Sequence, residues 1–132
     1  MSDVLADTGP LYALAFKFDQ YHLQARTELE RLSANRQRVI VTFPTVIEGY
    51  RLILRGSAAE YAFAWFDELR ASAEFVNPSE ADYLAAAQHI RRYHDQAITL
   101  ADGVLTIVSQ RLDVPVWTYD HRFGVIRVDR WK

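Results

Sequence analysis

The chain has 132 residues, half of them apolar, with 15 Lys and Arg against 17 Asp and Glu and no cysteine. That length suits a single domain that buries roughly two-thirds of its unfolded surface without staples, and the lack of cysteine excludes a disulfide framework and a thiolate zinc site. A formal net charge of −2 leaves nucleic acid open without supporting it, since neutralising a few acids with a metal leaves the remainder positive. No basic and apolar leader opens the chain and no apolar run is long enough to span a bilayer, so a soluble cytoplasmic protein is expected.

Short apolar runs alternate with helical patterns, which predicts an α/β domain with a mainly parallel sheet of four to five strands between helical layers. Val4–Ala6 reads as the first strand, Thr8-Gly9-Pro10 as a turn with Pro10 at the first helical position, and 11–18 as a short apolar helix. Residues 19–32 carry Leu23, Ala25, Leu29 and Leu32 at helical spacing. Residues 38–42 form a second strand, continuous and apolar as a buried parallel strand is. A helix over 44–54 stops at Gly56, and another over 57–72 carries the aromatic stripe Tyr61, Trp65 and Phe66. Glu74–Val76 is a third strand, 79–94 a long helix, 99–112 another, 116–118 a fourth strand and 124–128 a fifth.

Four acids stand where apolar runs meet turns or helix starts: Asp7, Glu48, Asp102 and Asp120. Asp7 and Asp120 follow strands, and Glu48 and Asp102 sit in the first turns of helices that come after strands. In open α/β sheets ligands bind beyond the carboxyl ends of the strands, so all four point to one edge. Each acid alone has a plainer reading. Thr45-x-x-Glu48 and Thr99-x-x-Asp102 match capping boxes, as do Ser57-x-x-Glu60 and Ser79-x-x-Asp82. Asp7 and Asp120 also suit turns. Together the four acids predict a hard-cation site, because clustered carboxylates repel at about 1 kcal/mol per pair at 4 Å in water and about 4 at an effective dielectric of 20. A hard cation in a small cysteine-free chain suggests phosphodiester chemistry. Histidine zinc pairs, phosphate loops and a serine-hydrolase elbow are all absent from the sequence. Asp7-Thr8-Gly9 also resembles the loop of aspartic proteases, but those enzymes are nearly all β and this chain reads as mostly helical.

Four stretches in order carry a family resemblance: 4–14 (Val-Leu-Ala-Asp-Thr-Gly-Pro-Leu-Tyr-Ala-Leu), 44–48 (Pro-Thr-Val-Ile-Glu), 100–103 (Leu-Ala-Asp-Gly) and 117–123 (Trp-Thr-Tyr-Asp-His-Arg-Phe). Over essentially its whole length, 1–132, the chain resembles a single PIN domain of three-layer α/β/α form, most of all the VapC toxin ribonucleases of VapBC toxin–antitoxin systems. The resemblance implies an endoribonuclease using Mg²⁺ or Mn²⁺. Asp7, Glu48 and Asp102 match its three regular acids and Asp120 its more variable fourth, which completes the same metal site or helps to hold a second ion. Thr8 and Thr118 match hydroxyl positions beside the metal. Charge and proximity to these motifs suggest Arg51, Arg55, His121 and Arg122 for the RNA backbone. Gly103 stands where the family more often has alanine, a change expected to loosen the helix start, and the chain after Phe123 follows the family only in outline. An RNA substrate, a VapB-like antitoxin and a homodimer are implied as partners, with the 11–18 and 57–72 helices as candidate contact faces. The rival readings are a PIN-fold DNA or flap nuclease and a catalytically silent RNA-binding module.

Overall fold

The computed structural model describes residues 3–125 and 129–132. Four short strands, β1 (Val4–Ala6), β2 (Val39–Thr42), β3 (Glu74–Val76) and β4 (Val116–Trp117), form one parallel sheet in the order β3-β2-β1-β4. Helices α1 (Thr8–Ala15) and α2 (His22–Ala34) join β1 to β2, and α3 (Phe43–Gly56) and α4 (Ala59–Ser72) join β2 to β3. The chain then runs through α5 (Glu80–Ile90), a 3₁₀ segment (Arg91–Gln96) and α6 (Leu100–Leu112) to β4, and α7 (Arg122–Val125) follows.

Side chains alternate across each strand, and this divides the core in two. Val4, Ala6, Val41 and Trp117 face Leu11, Leu32, Val46, Ile53, Trp65 and Leu69 of α1 to α4. Leu5, Ile40 and Val116 face Ala86, Val104, Leu105 and Val108 of α5 and α6, with Phe123. The sheet therefore lies between two helical layers, as expected. Because β4 pairs with β1 on the side away from β2, successive connections part between β1 and β4. Such a switch point opens a crevice beyond the carboxyl ends of the two strands, and the Asp7 N–H donates to the Trp117 carbonyl there (2.9 Å).

Several expected boundaries shift for local reasons. Thr42 caps α3, its hydroxyl accepting from the Thr45 N–H (3.4 Å), so the helix starts at Phe43. Thr45-x-x-Glu48 is thus no capping box, and Glu48 falls in the second turn rather than the first. Pro10 is the third residue of α1, where its missing N–H still costs nothing because first-turn donors have no partner inside the helix. That helix ends at Ala15, leaving Phe18 in solvent. The helix expected over 79–94 gives way at Ile90 to the 3₁₀ segment, inside which Tyr93 leaves helical geometry (φ −126°, ψ 35°). Of the expected fifth strand, Gly124 and Val125 belong to α7, and 126–128 lie outside the described residues. Further on, Arg130 forms a parallel bridge with Val116, flanked by hydrogen bonds to Asp129 and Trp131 (each 2.8 Å).

Gly103 is a packing requirement rather than a loosened helix start. A Cβ there would lie 2.6 Å from the Ile90 Cγ2 and 3.2 Å from the Ala86 carbonyl oxygen, so its absence lets α5 seat against α6. No helix among the described residues is long and apolar enough to cross a membrane.

Candidate functional site

Asp7 leaves the end of β1 and caps α1. Its Oδ1 accepts from the Thr8 N–H (2.8 Å) and its Oδ2 from the Thr118 hydroxyl just beyond β4 (2.8 Å). The Thr8 hydroxyl donates to Glu48 Oε1 (2.6 Å), drawing α3 towards the same point. Asp102 closes a capping box at the start of α6, where the Thr99 hydroxyl accepts from the Asp102 N–H (3.1 Å) and Asp102 Oδ2 from the Thr99 N–H (3.3 Å). In the turn after β4, Thr118 Oγ1 accepts from the Asp120 N–H (3.0 Å), and the Arg122 guanidinium grips both Asp120 oxygens. Two threonines thus hold two of the acids, and one arginine holds a third.

Asp7, Glu48, Asp102 and Asp120 all line one cavity of about 710 Å³ at the carboxyl edge of the sheet, with Thr8, Arg55, Arg122, Tyr21 and Tyr119 among the other lining residues. Burial pushes the Asp7 carboxyl up to about 6, against the pull of its hydrogen bonds from Thr118 and Thr8. The neighbouring charges of Asp102 and Glu48 push the same way. Asp102 is also raised, chiefly by burial, with Thr99 and Arg122 opposing. Asp120 lies below the usual carboxylate range because the Arg122 guanidinium bonds it. Among the described residues no three of the Asp, Glu and His side chains are drawn tightly enough together to form a ready-made metal site. The acids share a cavity but remain spread within it, with Arg122 between two of them.

Of the four basic residues expected at the RNA backbone, Arg55 and Arg122 line the cavity, whereas Arg51 and His121 are exposed and stand outside its lining. Arg122 is turned onto the acids.

Over residues 4–129 the sequence matches the PIN domain family. The chain belongs to that family. Compared with curated proteins by sequence, this PIN domain finds no match. Its fold is that of VapC20 from Mycobacterium tuberculosis, a Sarcin-Ricin loop cleaving toxin, with a TM-score of 0.84 at 16% identity over 98% of each chain. It is also that of VapBC2 from Rickettsia felis bound to promoter DNA (TM-score 0.77, 13% identity, 100% of this chain and 98% of the other). VapBC-1 from nontypeable Haemophilus influenzae gives a TM-score of 0.75 at 18% identity, over 100% and 97% of the two chains.

The PIN domain also places residues at the rim that motif reading passed over. Tyr21 stacks on Tyr119 (centroids 4.8 Å apart), and Glu28 of α2 accepts from the Tyr119 hydroxyl (2.5 Å) and from the Trp117 indole N–H (3.1 Å). Burial and Glu28 both raise the Tyr119 phenol. One signal for this is legible in the sequence: Trp117 and Tyr119 stand two apart at the end of an apolar run, and buried aromatic polar tips need a partner. Glu28 itself reads like any solvent-facing acid on an amphipathic helix.

Proposed function

We propose that this PIN domain is a divalent-metal-dependent endoribonuclease, a toxin of the VapC kind held in check by a small VapB-like antitoxin. The supporting observation is the common cavity of Asp7, Glu48, Asp102 and Asp120 at the β1/β4 switch point, with Asp7 and Asp102 held above the ordinary carboxylate range. Oxygen donors alone suit Mg²⁺ or Mn²⁺. The donor set fits such an ion on two counts. Asp7 accepts only one hydrogen bond on each oxygen, and Glu48 Oε2 and Asp102 Oδ1 accept none among the described residues. A cation, the Arg122 guanidinium, already sits against Asp102 and Asp120.

Asp7, Glu48 and Asp102 would hold the ion, and Asp120 would complete that set or serve a second ion. When bound, a hard divalent ion lowers the pKa of a coordinated water and offsets charge building on a phosphodiester. The chain's own part is positional. Thr8 and Thr118 fix the Glu48 and Asp7 oxygens. Asp7 is mostly ionised at pH 7 with a pKa of about 6, and Arg55 on the cavity wall offers charge to an RNA phosphate. Phosphate contacts set register rather than sequence. Exposed Ile47 and Phe63, which line one groove between α3 and α4, support a protein partner on that face, whether antitoxin or second copy.

Incubation with single-stranded RNA, transfer RNA and flap DNA, each with Mn²⁺ or chelator, tests the proposal. Mn²⁺-dependent cutting of RNA that is lost in Asp7→Asn is expected. Cleavage of flap DNA alone would favour the DNA-nuclease reading. Binding of RNA without cutting would favour a silent module, and undiminished cleavage by Asp7→Asn would overturn the site.

A further inference from the structure

Arg122 takes up both oxygens of one cavity acid, Asp120, and stands beside a second, Asp102. Its backbone N–H donates to Asp120 Oδ1 (2.9 Å), and its Nε lies 3.0 and 2.9 Å from the two Asp120 oxygens. One terminal nitrogen bonds Asp120 Oδ2 and stands 3.5 Å from Asp102 Oδ2. The other donates to the Ala97 carbonyl (3.0 Å), at the left-handed residue (φ 52°) that ends the 3₁₀ segment. Asp120 therefore has no oxygen to spare, unlike Asp7, Glu48 and Asp102.

We infer that Arg122 is a built-in counter-ion that competes with the divalent metal for Asp120 and Asp102, so that the fourth carboxylate becomes a ligand only when the guanidinium lets go. The inference rests on the metal-binding part of the proposed function. A forked guanidinium–carboxylate contact occupies the in-plane lone pairs that a metal needs, so Asp120 serves one or the other. Release is open to Arg122: 31% of its side chain is exposed, and swinging outwards breaks its side-chain contacts with Asp120, Asp102 and the Ala97 carbonyl, of which an arriving cation replaces those to the two carboxylates. A guanidinium that stayed beside Asp102 would repel an arriving dication, and one that left would be free on the cavity rim to meet an RNA phosphate.

Two measurements test this. Calorimetric titration with Mn²⁺ should show Arg122→Gln binding about tenfold more tightly than wild type, within the range of typical coupling between sites, while Arg122→Lys, which keeps the charge but loses the fork, falls between the two. A merely structural arginine predicts the same Mn²⁺ affinity in Arg122→Gln, with stability lowered equally with and without metal, and that result would overturn the inference. On the wild-type protein, which carries no folding risk, Mg²⁺ should shift the Arg122 Nε–H resonance and speed its exchange with water. An unmoved resonance in a protein that binds the ion overturns the counter-ion role and leaves the nuclease reading standing. Failure of wild type to bind either ion overturns both.

Discussion

Asp82 and Asp102 are each the third residue of a helix, and each closes a capping box, Asp82 with Ser79 and Asp102 with Thr99. Their surroundings then differ. Arg111 reaches from α6 to both Asp82 oxygens (3.1 and 2.8 Å), which holds that carboxyl below its usual range and ties α5 to α6. Asp102 meets the cavity acids instead, keeps one oxygen open and is held above its usual range by burial. The same local device is a structural staple at one site and, in the proposed function, a metal ligand at the other. The difference lies in the tertiary surroundings, a guanidinium bonded to both oxygens at Asp82 against burial with only a 3.5 Å arginine contact at Asp102, and the four-residue motif does not carry it.

The largest expected contrast is in activity. Asp102→Asn should lower Mn²⁺-dependent RNA cleavage by at least about 100-fold, the upper end of what even outer-shell partners of a metal are worth, while Asp82→Asn cuts at nearly the wild-type rate per folded molecule. Equal losses in the two variants would erase the distinction. Next comes pH. Asp7 binds its proton more tightly folded than unfolded, so without metal stability falls as pH rises from about 4 to about 6. The loss is about 3 kcal/mol at 1.36 kcal/mol per pKa unit. Asp82 has the opposite sign: its lowered pKa adds stability that is present above the unfolded value and lost as pH falls through the folded one. Urea unfolding across pH in chelator should show Asp7→Asn flattening the first slope and Asp82→Asn the second.

Smaller effects sharpen the packing side. Gly103→Ala puts a methyl 2.6 Å from the Ile90 Cγ2, and overpacking of this kind costs about 1–3 kcal/mol. Because the shift falls beside Asp102, Mn²⁺ binding should weaken with it, whereas a surface Ala substitution of similar cost would leave the affinity alone. The smallest contrast is in metal-free stability. Asp82→Asn should cost about 1 kcal/mol through a weakened cap and ion pair. Asp102→Asn, which keeps a carbonyl for Thr99 and sheds a buried charge, should cost less or stabilise.

Much of this architecture was readable from pattern. Continuous apolar runs at Val4–Ala6 and Val39–Thr42 gave parallel strands, because such strands are covered on both faces. Acids placed after strands or early in helices pointed to one edge for the same topological reason. What escaped were features decided by backbone geometry and by side-chain contacts that motif spacing does not carry. Thr42 rather than Thr45 caps α3 because its extended backbone aims the hydroxyl at the Thr45 N–H. Gly103 looked like a soft spot because only the approach of Ile90 reveals its purpose. Arg122 reads as a free cation for RNA because charge alone does not show that its guanidinium folds back on its near neighbour Asp120 and reaches Asp102 across the cavity.

A crystal grown with Mn²⁺ and measured at the manganese absorption edge bears most directly on the central claim, that carboxylates remote in sequence hold one ion between them. The account predicts an anomalous peak within bonding distance of Asp7, Glu48 and Asp102 oxygens. A peak confined to other surface acids, with those three side chains unmoved and unliganded at saturating Mn²⁺, would contradict it.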